Sequence, residues 1–558
     1  MKRLCILIFS FLGVLGLSSC SDFFESDSES VIKTDGHLYV SELEARAGLF
    51  GLLEGLQEVS DNYVLMGELR GDLMSTTVNS SQELHDISEF NVKAGNSYLR
   101  EREYYALLND CNYYITHLDT TVTKLVNGYS RKYLYPYLAQ AKAIRSWAYL
   151  QLCLDYGTVK YTAEPILVSS DAERLKEIRL NELLPLLIED LEKALPYAAV
   201  GGESDTWVAG LVDPGFTNSP NFGDYQAKQL LFPLRFVLGE LYMWKQDFQK
   251  AVEAYYRLIV DNRLNLCQYR NTYNASGSEV TGRNWTQQFS KFAYQDILTA
   301  IVSNEDRADT RSCLYDMASS DYTIAPSAAM IGIFDAQFYY TNRQISGDLR
   351  GLYGTYRITA GDDSRTEITK YGSMMTSSRH YVAPVRASVI WLRYAECLNR
   401  LGKPKTAFNG LLKYGLCAYN INLYRDRDAL SGEINGEPWI DFGQDVPEGE
   451  LAALFSGNNH GFHARGCGNT DMNESYTIEE QASAADTLLW VEQQIMDEYV
   501  LETALEGNRF HDLMRIACYR NDNAYLADRI AAKFPEAERA SIRAKLMDER
   551  NWYLPHDE

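Results

Sequence analysis

The residues most able to do chemistry are the carboxylates of the last sixty positions. Glu506 and Asp512 stand near Arg509 and Arg515 at three-residue steps on a predicted helix or helix end, where such side chains are neighbours. A general acid working near neutrality needs a raised pKa, whereas an adjacent cation favours the ionised form and lowers it. The spacing therefore predicts structural ion pairs, with Gly507 serving close backbone approach. His460-Gly-Phe-His463-Ala-Arg-Gly-Cys467 brings three zinc-ligand types together, but a closed zinc site needs four ligands on a fixed scaffold. Asn469, Asp471, Asn473 and Ser475 alternate oxygen donors as a calcium loop would. Glu474 occupies the bend where an EF-hand needs glycine and no glutamate follows at the twelfth position, so a turn-rich surface loop is expected. No Gly-x-Ser-x-Gly elbow or HExxH sequence occurs, and no cofactor is implied.

Reversible capture asks for different residues. A flat ring covers the apolar face of a sugar, and amides, carboxylates or guanidinium groups beside it satisfy the hydroxyls. Four loops carry that mixture: Asn79 to Tyr98, Trp207 to Tyr225, Tyr273 to Trp285 and Phe338 to Tyr356. The structural alternative for each ring is a place in the core, since large rings are usually well buried.

The elements that must hold such loops are helical. Ser41 to Val59 places Leu43, Ala47, Phe50, Leu53 and Leu56 at three- and four-residue steps. Its Gly48, Gly51 and Gly55 follow no strand and precede no Lys-Ser/Thr, so they predict close helix packing and no phosphate loop. Tyr98 to Leu118 and Gln140 to Leu154 keep the same rhythm, the latter ending at Gly157. Leu180 to Leu195 is cleanly amphipathic and stops at Pro196. Leu238-Gly239, Tyr242, Ala251 and Tyr255 fall at tetratricopeptide spacing, and Trp391, Ala395, Leu398, Ala407 and Leu411 repeat it. One such helix pair cannot bury its apolar face alone, so pairs near 98–154, 231–260, 387–415 and 486–516 are expected to stack. Long insertions, notably Asn262 to Phe292, Ile324 to Met375 and Asn422 to Thr477, separate them.

The first thirty residues constrain location. Lys2 and Arg3 precede an apolar run from Leu4 to Leu17, of signal-peptide length and too short for a permanent span. Leu17-Ser18-Ser19-Cys20 resembles the lipobox of bacterial lipoproteins, cleaved before a cysteine that then carries acyl chains. The alternative is an ordinary secretory signal with a chance cysteine. Residues 1–19 are thus read as signal peptide, 20–36 as a lipidated terminus and Ser/Asp/Glu-rich tether, and 37–558 as one helical domain. The formal charge of −23 over 558 residues becomes about −25 once Lys2 and Arg3 are removed, which repels phosphate backbones and argues against nucleic acid. The eight cysteines beyond Cys20 form no CxxC pairs; Cys111, Cys153, Cys397 and Cys518 sit in helical apolar patterns and are expected in the core.

Near the C-terminus, Leu501-Glu-Thr-Ala-Leu-Glu-Gly-Asn-Arg-Phe-His-Asp-Leu-Met-Arg515 resembles the C-terminal signature of the SusD/RagB family of outer-membrane lipoproteins. In matching order stand Cys20, Glu68-Leu69-Arg70-Gly71-Asp72, Tyr104-Tyr105 with Cys111-Asn112, Ala143-Ile144-Arg145 with Tyr149 and Tyr156-Gly157, and Leu392-Arg393-Tyr394-Ala395-Glu396. The ending Trp552-Tyr553-Leu554-Pro555 follows the family only in part. The resemblance implies a mainly α-helical SusD-like fold with four tetratricopeptide-like pairs and loop-rich insertions, in a cell-surface lipoprotein anchored at Cys20. It would capture oligosaccharides without catalysis and deliver them to a TonB-dependent SusC-like barrel. RagB-type members handle peptides instead, and a secreted glycoside hydrolase and a purely structural lid are the other readings. Family ligand surfaces are built from non-repeat segments, including one soon after the early Arg-x-Asp patch. That points to Arg70, Asn79 and Tyr98 as a polar floor and to Trp285 and Tyr339 as stacking rings.

Overall fold

The computed structural model describes residues 38–126, 129–197, 227–261, 264, 285–286, 289, 296–304, 311–340, 345–361, 364–376, 379–415, 433–434, 437–438, 460–468, 470, 473–479 and 481–556. Helices dominate it. Helix α1 (Glu42–Leu69) opens with a capping box in which Ser41 Oγ accepts from Glu44 N and the Glu44 carboxylate accepts from Ser41 N at 2.9 Å. It runs ten residues beyond the expected Val59. From Asn62 onward every position is buried, so the two-faced pattern that marks a helix in sequence fades while the helix continues.

Helices α2 (Gln82–Ser88), α3 (Glu101–His117), α4 (Tyr135–Tyr156) and α5 (Leu180–Ala194) follow. Helix α4 is buried over nearly its whole surface and closes at Gly157, whose φ of 81° is one that side chains resist. Helices α6 (Leu234–Trp244) and α7 (Phe248–Asp261) form a hairpin. A Cβ on Gly239 would lie 2.6 Å from the Tyr255 ring, so the close crossing needs glycine there. Gly48 and Gly55 likewise face Tyr114 and Leu107 on α3, whereas Gly51 meets nothing within 4 Å.

Helix α8 (Ala387–Arg400) leads into π-helical turns over Thr406–Lys413, and α9 (Ala484–Thr503) is followed by α10 (Arg509–Arg520), α11 (Asn523–Ala532) and α12 (Glu536–Leu546). Helices α3 and α4, α6 and α7, and α8 and the π-helical segment pack as pairs, whereas α9 packs on α8 and α10 on α11. The strands are short. The main sheet sets Arg379–Arg386 between Ile297–Asn304 and Met375–Thr376, all antiparallel. Met74–Thr76 pairs antiparallel with Ile324–Pro326, and Thr158–Lys160 with Glu177–Arg179. Cys111, Cys153 and Cys397 are buried free thiols, as expected; Cys518 instead lies exposed on α10. No helix among the described residues is long and apolar enough to cross a membrane.

Candidate functional site

The patches quoted for the family resemblance converge, and they converge in the core. Gly67, near the end of α1, abuts Gly507 so tightly that a Cβ would lie 1.8 Å from the Gly507 carbonyl. Gly507 N donates to Glu68 at 2.7 Å, and Arg509 grips Asp72 through Nε and Nη2 at 2.6 and 2.8 Å. Arg393 meets Asp512 at 2.7 Å and Arg515 meets Glu396 at 2.8 Å. Burial pushes the Asp512 carboxyl up, but Arg393 and Arg515 outweigh it and hold the group below the usual carboxylate range. Glu506 accepts from Lys370 at 2.5 Å and Arg386 at 2.6 Å. Of the pairs expected from spacing, Asp512 with Arg515 forms at 2.8 Å, whereas Glu506 and Arg509 each pair with distant segments instead. These carboxylates are sealed from solvent, which removes them from any catalytic reading.

A second buried group of charges surrounds Trp285. Arg350 binds Asp348 at 2.7 Å and Glu498 at 2.6 Å, and Arg386 binds Asp296 at 2.6 Å and Glu502 at 2.8 Å. Arg465 also pairs with Glu502. Arg350, Lys370, Arg386 and Arg465 all lie within 6.0 Å of the Trp285 ring centre. His463 Nδ1 sits 3.0 Å from Glu498 and the ring stacks on Tyr476, while Cys467 Sγ lies 3.2 Å from Asp348. The His463 and Cys467 of the zinc-like motif are thus spent on packing. Among the described residues no group of three or more His, Cys, Asp or Glu side chains could hold a metal. Asn469 and Asp471 of the calcium-like run lie outside the described residues, as do Cys20 and the whole of the Trp207 to Tyr225 loop.

Three of the five predicted ligand residues are therefore reassigned. Arg70 is buried, donates to Asp155 at 2.8 Å and to the Trp552 carbonyl at 2.6 Å, and lies over the Phe510 ring. Trp285 is 1% exposed and Tyr339 3%. A ring or guanidinium so enclosed cannot reach a surface ligand; in the loop of Tyr339 the exposed ring is Tyr353. Asn79 is exposed, and its amide donates to the Asp321 carbonyl at 3.1 Å, which docks its loop on the turn before Ile324.

Tyr98 is the one that lines a cleft. A hollow of about 420 Å³ opens between α1, the approach to α3, and Ser303, Arg311, Ser312 and Cys313. One helical face of α1 supplies Gln57, Glu58, Asp61 and Asn62, residues three and four apart. Asn62 Nδ2 donates to the Tyr98 carbonyl at 2.7 Å and fixes the backbone under that half-buried ring. Asp61 accepts from Ser312 Oγ at 2.8 Å and from Cys313 N at 2.7 Å, clamping the opposite wall. Burial, then the Asp61 charge, pushes the Cys313 thiol far up, so it is no nucleophile at neutral pH. Arg100 donates to the Ser97 and Leu99 carbonyls at 2.8 and 2.9 Å and forms no ion pair among the described residues. The result is a rigid polar basin with one ring on its wall. Sequence reading missed Gln57 to Asn62, and the available signal was a polar run that departs from the apolar stripe of α1.

No family model matches the chain. A SusD-like protein of Formosa agariphila is 22% identical over 437 residues, covering 72% of this chain and 78% of that one. Among solved structures, a SusD superfamily protein of Bacteroides vulgatus superposes with a TM-score of 0.58 at 14% identity, covering 92% of this chain and 95% of the other. A SusD-like carbohydrate-binding protein of Bacteroides vulgatus gives 0.53 at 16%, over 86% and 84%. The molecule is a mainly helical scaffold with an open polar cleft, and its fold is that of the SusD superfamily. The SusD-like resemblance drawn from the sequence is supported at the level of the fold.

Proposed function

We propose that this chain is a non-catalytic oligosaccharide-binding lipoprotein of the outer membrane, anchored through Cys20 and passing its ligand to a TonB-dependent SusC-like barrel. The single observation that carries the binding role is the Tyr98 cleft, where a ring stands beside Gln57, Asn62 and Arg100 on a fixed floor. A sugar's apolar face would lie on the ring while its hydroxyls exchange hydrogen bonds with the exposed Glu58 carboxylate and the half-buried Gln57 and Arg100 side chains. Similarity to the SusD-like carbohydrate-binding protein of Bacteroides vulgatus supports the same class.

Isothermal titration of the soluble form against an oligosaccharide panel tests it. Saturable binding is expected, with Tyr98→Ala about tenfold weaker, a loss of roughly 1.4 kcal/mol. Peptide binding with no glycan binding would transfer the cleft to the RagB-like reading, and new reducing ends from polysaccharide would overturn the non-catalytic one.

A further inference from the structure

A second hollow, of about 400 Å³, runs along α3 on the side toward Thr158–Lys160. Its floor is apolar: Tyr105, Leu108, Tyr149, Ile166 and Leu175. The polar groups beneath are already committed. Asn109 exchanges two hydrogen bonds with Ile166, and the Tyr149 hydroxyl exchanges two with Thr162. Beyond Ile166, Leu167 and Val168 continue the apolar surface at 70% and 56% exposure. At the mouth stand Arg102 and Lys160, whose side chains have no ion-pair or hydrogen-bond partner among the described residues. Glu101 is tied to His556 at 2.6 Å, which leaves Glu177 as the other lining carboxylate. On a chain with a net charge of −23, two free cations over an apolar floor describe an occupant with apolar side chains flanked by acids.

One segment of this chain has that composition. Ser21-Asp22-Phe23-Phe24-Glu25-Ser26-Asp27 places two rings between carboxylates. The chain enters the described body beside the end of α3, where Leu38 N and Tyr39 N donate to the His117 carbonyl at 3.0 and 3.2 Å. From His117 back to Tyr105 along the helix is roughly 18 Å at about 1.5 Å per residue. The fourteen residue-to-residue steps from Phe24 to Leu38 span up to about 46 Å, so the reach is ample.

We propose that the Asp22–Asp27 segment docks in the α3 groove, with Phe23 and Phe24 on the Tyr105, Leu108 and Leu175 floor and its acids facing Arg102 and Lys160. Docking would shorten the link between Cys20 and the body from roughly 60 Å of extended chain to the few residues before Asp22. It holds the body close to whatever Cys20 is attached to. The inference does not depend on what the Tyr98 cleft binds.

The test uses the full chain in detergent with Phe24→p-benzoylphenylalanine. Irradiation is expected to give intramolecular crosslinks to Arg102–Asn112 and Ile166–Leu175. Adding Arg102→Glu and Lys160→Glu, both surface changes, should cut their yield at least fivefold without shifting the melting temperature. Crosslinks that fall elsewhere on the body, a yield indifferent to the two charge reversals, or crosslinks joining isotopically labelled to unlabelled chains would each overturn the proposal, the last by making a second copy the occupant.

Discussion

The Trp285 cluster and the Tyr98 cleft each set an aromatic ring among guanidinium and carboxylate groups, yet they are opposites in availability. Around Trp285, Asp296, Asp348, Glu498, Glu502 and Glu506 pair with buried Arg350, Lys370, Arg386 and Arg465. In the cleft the ring is half-buried, Arg100 has no carboxylate partner among the described residues, and Glu58 stands exposed. Side-chain type does not separate scaffold from site here. Exposure of the ring and of the groups beside it does.

The sharpest way to break this contrast is at Glu502, which accepts from Arg350 at 3.1 Å and Arg386 at 2.8 Å and also holds Arg465. Glu502→Ala leaves three buried cations short of an anion, and removing one partner of a buried pair costs about 3–5 kcal/mol. Denaturant unfolding should show that loss, while the folded fraction keeps its ligand affinity. An unaltered midpoint would mean that the cluster is solvated and not the sealed scaffold described above.

The seam beneath α1 gives a prediction through pH. Burial lifts the Glu68 carboxyl from 4.5 to about 7, against the donated Gly507 amide that favours its ionised form. Between those values the folded chain holds a proton that the unfolded chain has released, so stability falls as pH rises through the window. The size is on the order of 3 kcal/mol at pH 8. Glu68→Gln should abolish that slope, matching wild type near pH 4 and exceeding it at pH 8 in paired melts. Equal slopes in the two proteins would place the proton elsewhere.

The same contrast explains what could be read in advance. Helical periodicity located α3 and α5 because their outer faces are wet, and it lost the second half of α1 where Asn62 to Leu69 are all buried. The ion pairing at Asp512 was legible from local spacing; the partners Arg393 and Asp72 were not, because they are fixed by tertiary packing. Arg70 and Trp285 carry the right chemistry for a ligand surface, and only burial, which a residue's type does not encode, places them in the core. Tyr98 was reachable because its loop follows the early Arg-x-Asp patch. Gln57, Asp61 and Asn62 carry no local sign of a cleft, because the residues opposite them, such as Ser312 on Asp61, lie 251 positions away.

The smallest effect marks where the cleft ends. Asn79 and Tyr98 were expected to share one floor, but Asn79 Nδ2 bonds to the Asp321 carbonyl, beside Ser80 Oγ on the Thr323 carbonyl at 2.6 Å. Asn79→Ala removes one exposed hydrogen bond from a loop with a second anchor, which is worth under about 1 kcal/mol. Affinity measured by titration should stay within about twofold of wild type, where a tenfold change corresponds to 1.4 kcal/mol. A larger drop would mean that a bound chain extends from Tyr98 across to the Asn79 loop, and the binding surface would then include the turn at Asp321 to Thr323 as well as the basin.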